Sequence, residues 1–130
     1  MAKLLDANTV IRYLTNDDPI KSKKVESFLR VNNEPLIIND VSIAEIVWVL
    51  LSHYKVPKKE IVEKLQYLFN FEALKVNKNL LNRALDIYAK ANIDYIDAYL
   101  IAFAEENKIP QVVSYDRDLD DFKGIKRQEP

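Results

Sequence analysis

The sequence predicts a three-layer α/β/α sandwich built on a central, mainly parallel twisted sheet, and three observations lead there. Apolar runs of four or five residues recur along the chain and alternate with longer segments of helical spacing. Continuous short apolar runs, rather than strict alternation, mark strands covered on both faces, and strands alternating with helices mark parallel sheets. No linker, internal repeat or low-complexity tract interrupts the 130 residues, a length that suits one domain over residues 1–130. Such a chain buries about two-thirds of its unfolded surface around one core.

Taken in order, residues 3–6 read as a buried strand followed by a helix over 7–14. Pro19 suits the first turn of a helix that runs to residue 31, with Val25, Phe28 and Leu29 on one face. Residues 35–39 (PLIIN) form a second strand, and 42–53 a strongly apolar helix. Pro57 opens the next helix, in which Ile61, Leu65, Leu68 and Phe69 recur at helical spacing. A short strand over 72–76 precedes a helix capped by Asn77 and running to residue 91. Asp94 starts another, ending near residue 108. A strand over 111–114 (QVVS) leads into an acidic turn, and Ile125 belongs to a last edge strand.

Composition excludes much chemistry. With no Cys, the chain has no disulfide, thiolate nucleophile, iron–sulfur cluster or Cys-ligated zinc. A single His, His53, cannot build a His-rich metal site, and it reads as a helix-end residue rather than a base. One Gly, Gly124, leaves nothing for a P-loop or a G-x-G-x-x-G turn. Carboxylate is plentiful, with 20 Asp plus Glu against 19 Lys plus Arg, so any catalysis is expected to run on acids through a metal. The formal net charge of −1 argues against a broadly basic duplex-binding surface. The apolar stretches are broken by Glu45 and Asp97 and fall short of the roughly 20 residues of a membrane span. Asp6 interrupts the N-terminal apolar run that a signal peptide would need, so the expected compartment is the cytoplasm.

Four acids sit at or just beyond predicted strand ends, where open parallel sheets place their sites: Asp6, Glu45, Asp97 and Asp116. Each also has an ordinary structural role open to it. Asp6 suits an N-cap, Ser42-x-x-Glu45 matches a capping box, Asp94-x-x-Asp97 has the same spacing, and Asp116 lies in a turn. Glu45 (IAEIVWVLL) and Asp97 (YIDAYLIAFA) are nonetheless embedded in segments apolar on nearly every side, which predicts burial. An ionised carboxylate there costs several kcal/mol unless a cation compensates it, and no Lys or Arg lies within a turn of either. A divalent metal held by acids from different strands would compensate, and Mg²⁺ or Mn²⁺ suits an all-oxygen site.

In order and spacing, KLLDANTVIRYL, SIAEIVWVL, DYIDAYLIAFA and SYDRDLDDF resemble the four signatures of PIN-domain ribonucleases, and most of all the small VapC-type toxins of type II toxin–antitoxin pairs. The resemblance covers the whole chain and implies a PIN-like fold. It implies that Asp6, Glu45, Asp97 and Asp116 form an acidic metal pocket, with Asp6 and Asp97 as principal ligands of Mg²⁺ or Mn²⁺. Asn8 and Ser114 would support them, and Asp118 competes with Asp116 for the fourth role. It also implies an RNA substrate cut by a metal-activated water, a cognate antitoxin and a homodimer. Without those four carboxylates the net charge of −1 becomes +3. Arg12 and Arg117 are the candidate phosphate contacts, and Tyr13 and Tyr115 the candidate base platforms.

Other readings fit less well. The start LLDANTVI also resembles haloacid-dehalogenase-type phosphatases, but Asn8 stands where their second Asp is needed. A response-regulator receiver would want an acidic pair after the first strand. Asp116-x-Asp118-x-Asp120 imitates an EF-hand loop, yet Asp121 replaces its Gly and Arg127 its bidentate Glu. The remaining competitor is a catalytically silent PIN-like module that binds RNA or protein.

Overall fold

A computed structural model describes residues 1–31 and 33–130. The chain forms two compact units, residues 1–78 and 79–130. The first contains β1 (Lys3–Leu4), α1 (Ala7–Thr15), α2 (Pro19–Val31), β2 (Leu36–Ile37), α3 (Asp40–Ser52), α4 (Lys58–Phe69) and β3 (Leu74–Lys75). Then α5 (Lys78–Lys90) opens at the boundary, and the second unit continues with α6 (Tyr95–Glu106), β4 (Gln111–Val113), a 3₁₀ turn (Arg117–Asp121) and β5 (Lys126–Gln128). No described helix is long and apolar enough to cross a membrane.

The α/β class with parallel strands is borne out. In the first unit β1, β2 and β3 lie side by side in that order, all parallel, with Leu4 opposite Ile37 and Ile37 opposite Lys75. Each crossover carries two helices, as parallel neighbours require a long return path. Leu5, Leu36, Ile38 and Leu74 are buried on one side of this sheet, whereas Leu4, Ile37 and Lys75 alternate to the other and are exposed. Ile61, Leu65 and Leu68 of α4 and Ile43, Ile46 and Leu50 of α3 are fully buried, each contributing about 1.5–3 kcal/mol. Asn16 takes the left-handed conformation (φ 53°) that ends α1, and Lys64 donates to the Leu14 carbonyl of that last turn at 3.0 Å.

In the second unit Leu81, Ala84, Leu85 and Tyr88 of α5 and Ala98, Ile101 and Ala102 of α6 are buried. Arg83 bridges the two helices, donating to both carboxylate oxygens of Glu105 at 2.8 and 3.0 Å. Beyond α6, β4 pairs with β5 in parallel, with Val112 opposite Arg127.

The helix starts follow the residues that predict them. Pro19 is the first residue of α2, Pro57 is the N-cap of α4, and Asp6 and Asp94 cap α1 and α6. One start is corrected. Asn39 caps α3 by accepting from Ser42 N at 2.8 Å, so Ser42 and Glu45 do not form a capping box. β1 and β4 start where expected and end early, β2 and β3 are shorter at both ends, and the last strand begins at Lys126, one residue after Ile125.

Candidate functional site

In the first unit the site begins at the carboxyl edge of the sheet. Two residues beyond paired Leu4 and Ile37 stand Asp6 and Asn39, so the caps of α1 and α3 share one edge. Asp6 accepts from Thr9 N at 2.9 Å, and that bond, joined by one from the Thr9 side chain, holds its carboxyl below the usual range. The carboxylate remains exposed and keeps acceptor capacity for a ligand. Asn8 is also exposed, in the first turn of α1.

Glu45 departs from the expectation of burial. It lies six residues past the Asn39 cap, on the exposed face of α3, beside Val41 (78% exposed) and Trp48 (67% exposed). Only the face carrying Ile43, Ile46, Val47 and Leu50 is buried. Outward-facing Val41, Trp48 and Leu51 give α3 an apolar sequence all round without burying its acid. Being exposed, Glu45 pays no burial penalty that a cation would have to offset.

In the second unit Asp97 keeps the expected character. It is partly buried on the first turn of α6, and its pKa is pushed up to about 6. Burial is the largest cause, followed by the charge of Asp94, the charge and hydrogen bond of Asp116, and the charge of Asp118. Asp94 accepts from Asp97 N at 2.8 Å, so the cap holds two carboxylates on one turn. The acidic turn after β4 is equally tied. Ser114 Oγ accepts from Asp116 N, and Asp116 Oδ1 accepts from Asp118 N, both at 2.9 Å. Asp116 thus raises the Asp97 pKa more than Asp118 does.

These oxygens form the donor set that a hard divalent cation takes. Among the described residues, however, no three acids converge closely enough to enclose an ion by themselves. Crowded carboxylates that leave coordination positions open suit a divalent cation that retains several waters. The residues fit the group.

The sequence model of the PIN domain family matches residues 3–125, a span that includes all four acids and their motifs. This chain belongs to the PIN domain family. The resemblance read from the ordered motifs is borne out by that match and by a second one. A VapC ribonuclease of Aquifex aeolicus (strain VF5) is 28% identical over 119 residues, covering 88% of this chain and 87% of that protein. A looser likeness, at TM-score 0.42 and 10% identity, is to the crystal structure of Mycobacterium tuberculosis VapC20, a sarcin–ricin loop cleaving toxin; it covers 97% of this chain and 98% of that one.

The remaining candidates of this PIN domain are placed as follows. Arg12 lies in the last turn of α1, where its charge adds a minor contribution to the lowering of the Asp17 pKa, which comes chiefly from the Tyr54 hydroxyl. Arg117 is exposed at the start of the 3₁₀ turn, and Tyr115, 72% exposed, stands beside Asp116. Tyr13 is half-buried, edge-on to Phe71 at 6.2 Å and bonded to Glu26 at 3.4 Å, which makes it a packing residue. His53 caps the C-terminus of α3, as a helix-end residue should. Two residues gain roles that sequence reasoning did not give them. Asp94 joins the Asp97 cluster, a partnership signalled by its i, i+3 spacing, and Arg127 grips the acidic turn, which no local spacing signals.

Proposed function

We propose that this PIN domain is a Mg²⁺- or Mn²⁺-dependent endoribonuclease, working as one domain over residues 1–130, and that it is the toxin half of a toxin–antitoxin pair. The observation that carries the reading is Asp97, a half-buried carboxyl crowded by Asp94, Asp116 and Asp118 with no cation among the causes of its shift. The similarity to a VapC ribonuclease supports RNA as the substrate.

In this reading Asp6 and Asp97 are the principal metal ligands, and Glu45 and Asp116 complete the acidic set. When bound, a Mg²⁺ or Mn²⁺ ion supplies positive charge at the scissile phosphate and lowers the pKa of a water. The reaction is hydrolysis. A water oxygen attacks phosphorus in line, the bond to the 3′ oxygen breaks, and that oxygen takes up a proton. Asp116 takes the fourth role ahead of Asp118, because it weighs more heavily on the Asp97 carboxyl. Ser114 holds the Asp116 backbone, and Asn8 offers an exposed amide beside Asp6. The helix starts at Asp6 and Asp94 aim N–H groups at the acids and offset their charge. Arg12 and Arg117 contact phosphates, and exposed Tyr115 offers a stacking face to an unpaired base.

A cytoplasmic toxin of this kind is expected to form a homodimer and to bind an antitoxin. Exposed apolar stripes support such partners: Val41, Trp48 and Leu51 on α3, and Ile96, Leu100 and Phe103 on α6. The test of activity is incubation of structured RNAs with the protein and Mg²⁺, beside Asp6→Asn. Cleavage by wild type alone is the expected result. RNA retained uncut across several substrates would favour the silent binding module instead.

A further inference from the structure

The acids around Asp97 are not the whole of the acidic turn, and the structure separates those that remain available from one that is already neutralised. Arg127 stands in the middle of β5, and its side chain is only 11% exposed. Its guanidinium makes a two-pronged pair with Asp120, Nε to Oδ1 at 2.8 Å and Nη2 to Oδ2 at 3.2 Å. The remaining terminal nitrogen, Nη1, donates to the Ser114 carbonyl at 3.0 Å and to Glu129 at 3.1 Å. Ser114 and Asp120 lie at the two ends of the turn that carries Asp116 and Asp118. One planar cation therefore clamps both ends of that turn, while β5 fixes the cation through Ser114 N to Gln128 O at 2.9 Å. The clamp also uses Asp120 up, where an EF-hand-like run would spend it on an ion.

We propose that Arg127 is a positioning residue of the nuclease site, holding the turn 114–120 through Asp120 and the Ser114 carbonyl so that Asp116 stays opposed to Asp97. The proposal rests on the reading of Asp97 and Asp116 as metal-holding acids. Geometry explains the choice of arginine. A guanidinium delivers parallel bonds to a carboxylate and a further bond sideways, which a lysine ammonium on a flexible stem cannot reproduce. Partners one step removed from a metal commonly set its affinity by orienting the ligands.

The test is a Mn²⁺ titration of the full chain, followed by the electron paramagnetic resonance of free Mn²⁺, with thermal unfolding of each metal-free variant alongside. Arg127→Lys is expected to weaken Mn²⁺ binding by about 10- to 100-fold, the range for such outer partners, while remaining folded. Asp120→Asn, which breaks the two-pronged pair from the other side and keeps the cation, is expected to weaken it in the same direction. The double variant should be little worse than Arg127→Lys alone, because both act through one contact. A folded Arg127→Lys that loses thermal stability but binds Mn²⁺ as wild type does would overturn the proposal, since the clamp would then be structural only. Wild type that binds no Mn²⁺ would instead sink the metal reading itself. Arg127 is then judged by hydrogen exchange at the Asp116 and Asp118 amides, which accelerates in Arg127→Lys if the clamp orders the turn. Unchanged exchange there would overturn the positioning role independently of any metal.

Discussion

Helices α3 and α6 look alike in sequence and behave differently at their acids. Both open on an Asx cap, Asn39 and Asp94, and both bury one apolar face. Yet Glu45, six residues past its cap, faces solvent, whereas Asp97, three residues past its cap, is half-buried among other carboxylates. Apolar neighbours in the chain are therefore a poor guide to an acid's surroundings. What decides is how close the acid stands to the helix start and which turn faces it. Asp97 has the acidic turn of residues 114–120; on α3 the neighbours of Glu45 along its face are Val41 and Trp48.

The comparison predicts unequal effects. The largest is on metal binding: Asp97→Asn should lower Mn²⁺ affinity by more than the 10- to 100-fold typical of outer partners. Glu45→Gln should lower it by about tenfold or less, measured in the same titration. Equal losses would show that α3 contributes as much as α6 and erase the distinction drawn from exposure.

Stability should separate the helices next. Metal-free Asp97→Asn is expected to raise the thermal midpoint, because it removes one of several crowded carboxylates. Glu45→Gln should fall within about 0.5 kcal/mol of wild type, as exposed substitutions do. The caps sharpen the same contrast. Asn39→Ala should cost about 1 kcal/mol through the lost bond to Ser42 N. Asp94→Ala should cost less than that in the metal-free protein, since losing the bond to Asp97 N is offset by removing a like charge. Denaturant unfolding of the two variants measures the difference directly.

A last effect falls on the acid limb of stability. Asp86 is held below the usual carboxylate range chiefly by Lys90 and secondarily by Arg83, and Glu105 is held there by Arg83. A depressed carboxyl contributes stability above its unfolded pKa and loses it as pH falls through the lower folded value. Arg83→Met should therefore flatten the loss of stability below about pH 4. The change should be no more than about 1 kcal/mol, since these pairs are partly exposed. An unchanged acid limb would show that Arg83 does not tie α5 to α6 energetically.

Much of this was legible in the sequence because local chemistry determines it. Pro19, Pro57, Asp6 and Asp94 announce helix starts through fixed φ or side-chain acceptance, and the structure begins helices there. At the α3 start Ser42 and Glu45 have capping-box spacing, but Asn39 offers a better-placed oxygen one turn earlier and takes the cap. Glu45 reads as buried for a related reason: an outward Trp48 looks like core when only composition is known. The Asp97 environment was half legible: its spacing from Asp94 is local, but its meeting with Asp116 depends on how the chain returns after β4. Arg127 was least legible. Its bond to Asp120 spans seven residues around the turn at Gly124, and its bond to Ser114 spans thirteen.

The central claim is that the carboxylates around Asp97 hold a divalent cation that RNA cleavage requires. The most direct measurement is a Mn²⁺ titration of wild type and Asp97→Asn under identical conditions, followed by the resonance of free Mn²⁺. Saturable binding by wild type that Asp97→Asn loses is the predicted result. Equal binding by the two proteins, or none by wild type, would contradict it.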